Sequence, residues 1–126
     1  MNAYLVSVED RPGVLARLFA AAAARGVNVY PAFGLSDGTR GIIALGSDDE
    51  AALQAAIADA GHAAIPVELL ITELENRPGT AAALTRKLAD AGVDLRVAVP
   101  IGMSGDRVQL ALGGTDPALL KAALGL

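Results

Sequence analysis

The residues best placed to do chemistry in this chain occur twice. Glu-Asp-Arg-Pro-Gly at 9–13 is echoed by Glu-Asn-Arg-Pro-Gly at 75–79. Pro12 and Pro78 suit the first turn of a helix, and the residues that follow recur at helical spacing: Val14, Leu15, Leu18 and Phe19 in the first copy, Leu84 and Leu88 in the second. Gly13 and Gly79 carry no side chain, so a ligand can approach the backbone there. A helix that begins at such a point presents unpaired N–H groups suited to a carboxylate. Arg11 and Arg77 could hold that carboxylate, or they could stand as solvated surface arginines.

Other chemistries are excluded by composition. There is no Cys, hence no disulfide framework, thiolate nucleophile or Cys-based metal site, and the single His62 cannot form a histidine cluster. No Gly-x-x-x-x-Gly-Lys-Ser/Thr phosphate loop and no metal-ligand spacing occurs, so no catalytic residue, cofactor or metal is expected. Asp48, Asp49 and Glu50 sit where a helix should start, a place acids occupy because of the helix dipole. A net charge of -4 argues against nucleic acid as a partner, since that affinity rests on neutralising phosphates. The longest apolar run, residues 18–24, falls well short of the roughly 18 residues a membrane span needs. Residues 1–12 carry Glu9, Asp10 and Arg11 where a secretory signal would be apolar, so a cytoplasmic protein is expected.

The elements that must position these residues follow from the repeat. An offset of 66 aligns the two motifs and continues without a gap through Ala16/Ala82, Leu18/Leu84, Ala23/Ala89, Gly26/Gly92 and Val27/Val93. Further on the offset is 67, with Arg40 matching Arg107 and Ala-Leu-Gly at 44–46 matching 111–113, so one residue is inserted in a loop near 102–105. Each copy starts with a strand, at 4–8 and 70–74. Each then has the helix just described, stopped by Gly26 or Gly92, and a hairpin: strands at 27–35 and 93–101, a turn at Asp37-Gly38 or Ser104-Gly105, and strands at 41–45 and 107–112. Ser47 with Glu50 reads as a capping box, and Asp116 before Pro117 as a cap with a first-turn proline, which predicts helices near 48–60 and 116–124. A fourth strand near 63–69, with Pro66 suiting an edge, closes the first copy; the second has no counterpart. The expected fold class is α+β: two ferredoxin-like βαββαβ units in tandem, at 1–69 and 70–126, the second lacking its final strand.

Fold alone leaves function open. The RNA-recognition relatives of this topology need aromatic residues on central strands, and strand 41–45 has none; metallochaperones need paired cysteines. The segment Asp-Arg-Pro-Gly-Val-Leu-Ala-Arg-Leu at 10–18, with Gly-Val-Asn at 26–28, resembles the ACT domain signature, and Asn-Arg-Pro-Gly-Thr at 76–80 with Gly-Val-Asp at 92–94 repeats it. The whole chain is similar to stand-alone tandem ACT proteins. That resemblance implies a regulatory small-molecule sensor, most often of an amino acid, acting on an enzyme or regulator. It implies a ligand at the strand-to-helix loop of one unit, facing the second strand and first helix of a neighbouring unit.

On these positions the ligand-binding residues would be Asp10, Arg11, Pro12, Gly13, Val14 and Asn28 in the first copy. In the second they would be Asn76, Arg77, Pro78, Gly79, Thr80 and Asp94. Each copy offers one carboxylate and one amide, in swapped order, which suits a zwitterionic amino acid. Asp10 and Asn76 could instead be helix caps, and Asn28 and Asp94 could simply shape a turn. Some amino-acid-binding members have a histidine where Val8 and Leu74 stand here, which disfavours a serine-type pocket. The unpaired sheet edge of the second copy predicts a homodimer. The alternative function is a protein-interaction module of the same fold that takes no ligand.

Overall fold

The computed structural model describes all residues from Met1 to Leu126. Its elements run β1 (Asn2–Glu9), α1 (Val14–Ala24), β2 (Ala32–Ser36), β3 (Arg40–Leu45), α2 (Glu50–Asp59), β4 (Ile65–Glu68), β5 (Leu70–Glu75), α3 (Thr80–Asp90), β6 (Leu95–Ser104), β7 (Arg107–Gly114) and α4 (Pro117–Leu124). The protein is α+β, with two antiparallel sheets built from βαββαβ-like units. The first sheet has the order β2-β3-β1-β4 and the second the order β5-β7-β6, with no strand corresponding to β4. By its contacts the chain divides into compact units Met1–Pro66 and Val67–Leu126. No helix is long and apolar enough to cross a membrane.

In the first unit, Tyr4, Val6 and Val8 alternate along β1 and join Ile43 and Leu45 of β3, Leu18 of α1, and Leu53 and Ile57 of α2 in one core. The period of two on the strands and the spacing of three to four on the helices put these side chains on facing surfaces. Arg25 at the end of α1 donates to Asp59 at the end of α2 over 2.6 Å, which ties the two helices at one end. The second unit has a smaller buried cluster, Leu88, Leu112 and Leu120.

Two local expectations change. The strand foreseen from Val27 begins only at Ala32, because the Val27 N–H is used to close α1, donating to the Ala22 carbonyl over 2.9 Å. Val27 and Val29 still pack against the core, so their apolar character reflects burial without ladder pairing. The capping box at Ser47 is absent as well. Asp49 caps α2, accepting from the Ala52 N–H over 3.1 Å, while Ser47 accepts from the Asp49 N–H. Glu50 turns away to β1, accepting from Asn2 Nδ2 over 3.0 Å and from the Tyr4 hydroxyl over 2.8 Å. Asp116 caps α4 as foreseen, accepting from the Leu119 N–H over 3.0 Å.

Candidate functional site

Both Arg-Pro-Gly loops carry the chain from the first strand of a unit into a helix, β1 into α1 and β5 into α3, and both do it with a left-handed glycine. Gly13 and Gly79 each adopt φ 92° as the N-cap residue of α1 and α3, and neither helix start receives a side-chain cap. The capping role open to Asp10 and Asn76 is therefore not the one they have. Asp10 is bound to the hairpin opposite: its N–H donates to the Thr39 carbonyl over 2.9 Å, and its Oδ2 accepts from the Ser36 hydroxyl over 2.9 Å. The Asn76 N–H donates to the Asp106 carbonyl, the matching bond in the second unit.

The loops differ in how far they satisfy themselves. In the second, Thr80 Oγ1 donates to the carbonyls of Glu75 and Arg77, and Arg77 lies against Glu75. Glu73 and Glu75 also flank Arg107, 2.7 and 4.0 Å away, and Glu73 raises the Arg107 guanidinium pKa by its hydrogen bond. In the first, Val14 replaces the threonine, and Ser7 stands where Glu73 would be. Arg40 then finds only the Ser7 hydroxyl, at 3.3 Å, and Arg11 sits 3.4 Å from Glu9, both exposed.

Three cavities at these loops bear on the site; a fourth, about 420 Å³, lies against Asp10, Arg11 and the turn at Gly38 and Thr39. A cleft of about 890 Å³ in the first unit is lined by Arg11, Pro12, Gly13 and Val14, together with Arg17, Arg40 and His62. Its counterpart in the second unit, about 520 Å³, is lined by Arg77, Pro78, Gly79 and Thr80 with the α3 residues Ala83, Leu84 and Lys87. A third cavity, about 400 Å³, lies in the first unit between α1 and β2; Asp10, Arg11 and Ser36 stand at one end of it, and Leu15, Phe19 and Ala32 line its apolar part. Asn28, Asn76 and Asp94 line none of the three. Asn28 follows the C-terminal end of α1, whose eleven residues span about 16 Å, so within one unit it stands far from Asp10.

Sequence reasoning did not single out the third cavity. Its cause is a run of small side chains on one face of β2. Ala32, Gly34 and Ser36 pair with Leu45, Ile43 and Gly41 of β3, so they share the helix-covered face and leave space beneath α1. Every second residue of 32–36 being small was the available signal. No group of His, Cys, Asp and Glu residues is arranged to hold a metal ion.

No protein-family model and no curated protein matches the sequence. Solved structures do match the fold. A protein of Bacteroides thetaiotaomicron superposes with a TM-score of 0.77 at 15% identity, over 98% of this chain and 85% of that one. The regulatory subunit of aspartate kinase from Thermus flavus gives 0.67 at 20% identity, over 98% and 88%. That of Thermus thermophilus, in its ligand-free form, gives 0.64 at 20% identity, over 98% and 87%. The chain thus has an ACT-type fold, matching that of regulatory subunits of aspartate kinase.

Proposed function

We propose that this protein is a regulatory sensor that binds an amino acid or a closely related metabolite beside its Arg-Pro-Gly loops, and that it has no catalytic activity of its own. The observation that carries this is the uncapped helix start at Gly13, which with the exposed Arg11 lines one cavity, while Arg11 and the Asp10 carboxylate line a second, each large enough for a small molecule. Free N–H groups and a guanidinium suit a ligand carboxylate, and Asp10 suits an ammonium. The fold it shares with regulatory subunits of aspartate kinase supports a regulatory role, with an enzyme or regulator as the recipient of the signal.

A melting-temperature screen of the twenty amino acids and common metabolites tests the reading. A ligand at a hundredfold excess over its Kd adds about 2.7 kcal/mol of apparent stability. At least one compound is expected to raise Tm at millimolar concentration, and Asp10→Ala should reduce that shift. A screen in which nothing moves Tm would favour the module that pairs with a protein partner and takes no ligand.

A further inference from the structure

We infer that the ligand carries an aliphatic or aromatic side chain, that this side chain lies in the cavity between α1 and β2, and that only the first unit can hold it. The inference rests on the ligand-binding reading above and narrows it to a ligand class and a stoichiometry.

The cavity is polarised along its length. Ser36 pairs with Gly41, which in turn pairs with Val8 near the end of β1, so this end lies beside Asp10 and Arg11. Ala32 pairs with Leu45 at the other end of β2, and Phe19 is one helical turn beyond Leu15. Charged and hydroxyl groups therefore gather at the loop end, and the far end offers methyl groups and an aromatic ring. Leu15 and Phe19 are 50% and 40% exposed although they are large and apolar, and they stand beside the buried stripe of Leu18 and Ala22. A ligand with its ammonium and carboxylate at the loop and an apolar body pointing along β2 would cover them. The volume, about 400 Å³, is in the range of small-molecule sites.

The second copy is an internal control, because there four of the positions that line the cavity carry different residues. At the offsets of 66 and 67, Ala81 stands for Leu15 and Thr85 for Phe19, so the apolar wall is gone. Pro100 stands for Gly34 and Val108 for Gly41, so the second copy carries side chains where the first has none; in the first unit a Cβ at either glycine would crowd the paired strand, 3.1 Å from the Ile42 carbonyl oxygen and 2.8 Å from that of Leu35. Their pairings correspond: Gly34 with Ile43 and Pro100 with Leu110, Gly41 with Val8 and Val108 with Leu74. Four substitutions in one direction, at positions that would each touch the same bound group, make the first unit the one able to take an apolar side chain.

Calorimetric titration of the full chain tests this with leucine, isoleucine, valine, methionine and phenylalanine against glycine, serine, aspartate and lysine. At least one of the apolar set is expected to bind with one ligand per chain and at least tenfold more tightly than any of the polar set. Leu15→Ala combined with Phe19→Thr, which installs the second copy's residues, should weaken that ligand at least tenfold, whereas Thr85→Ala should leave it unchanged. Should the double variant fail to fold by circular dichroism, Ala32→Leu supplies the same test by filling the far end, and it should penalise the longest side chains most. Tighter binding of a polar amino acid, two ligands per chain, or affinity unchanged in the folded cavity variants would overturn the apolar site while leaving the sensor reading in place. Failure of every amino acid and metabolite to bind would remove that reading and this inference with it.

Discussion

Glu50 shows how a residue's type can be legible while its role is not. Its spacing from Ser47 suggests a capping box, yet its carboxylate serves the start of β1, accepting from Tyr4 and Asn2, and the Tyr4 hydroxyl in turn accepts from Gln54 Nε2 over 2.7 Å. The hydrogen bond from Tyr4, then that from the Asn2 N–H, hold the Glu50 pKa below its ordinary value near 4.5. A carboxyl whose pKa is lower folded than unfolded contributes stability above the unfolded value and loses it as pH falls through the folded one. Glu50→Gln is therefore expected to lower Tm at neutral pH, with the gap from the parent closing as the pH falls below the ordinary carboxyl value near 4.5; a gap that persists unchanged at low pH would contradict this. Gly13 was legible as a position needing glycine, and the structure adds a backbone reason for it. At φ 92° it is in the left-handed region, where any other residue is strained, although a Cβ would meet nothing within 4 Å. Gly13→Ala or Gly79→Ala should cost about 1–2 kcal/mol of stability in chemical denaturation, whatever happens to ligand. Loss of binding in such a variant is thus weak evidence about the site, and Asp10→Asn is the cleaner probe. It keeps an acceptor for Ser36 and removes only the charge, so Tm should stay nearly constant while affinity for an ammonium ligand falls.

The elements were the most readable level, because each was marked by local chemistry that tertiary packing then confirmed. Both first helices begin after Pro-Gly, both hairpins turn at a glycine, and α4 starts at Asp116 followed by Pro117, as the residues imply. What sequence could not supply was the distinction between an apolar residue that ladders and one that only packs, which decides where β2 begins. The same limit hid the cavity: Leu15 and Phe19 read as core by their spacing with Leu18, and only the pairing of Ala32, Gly34 and Ser36 reveals that nothing fills the space beside them. Of the twelve residues assigned to the loops and turns, those of the two Arg-Pro-Gly segments other than Asn76 line cavities, whereas Asn28 and Asp94 lie beyond the far ends of α1 and α3. The caps allow a direct test at this scale. Asp49→Ala and Asp116→Ala each remove the one side-chain acceptor at a helix start, and each should cost about 1 kcal/mol by chemical denaturation. Loss below about 0.3 kcal/mol at either would mean that water replaces the carboxylate without penalty.

At the scale of the whole molecule the two copies have the same plan but differ in how their first strands are flanked, and the difference has a consequence for assembly. In the first sheet β1 is interior, flanked by β3 and β4; in the second its counterpart β5 is an edge strand with β7 on one side only. An edge of six residues presents N–H and C=O groups that favour pairing with another strand unless charge or distortion prevents it. The charges on this edge are largely answered from within: Arg107 of β7 pairs with Glu73 and Glu75, and Arg77 with Glu75, which reduces the repulsion two acidic strands would otherwise have. Ile71 on the same strand is 43% exposed and offers apolar area to a second copy. We therefore expect a homodimer formed edge to edge through β5, with a mass near twice the 12.7 kDa of one chain by light scattering at micromolar concentration. Ile71→Lys should shift the population towards monomer, since lysine is a residue natural edge strands use to block pairing, and it should leave the circular dichroism spectrum unchanged. A monomer for the parent protein at tens of micromolar would rule the arrangement out. A dimer insensitive to Ile71→Lys would place the contact on another surface.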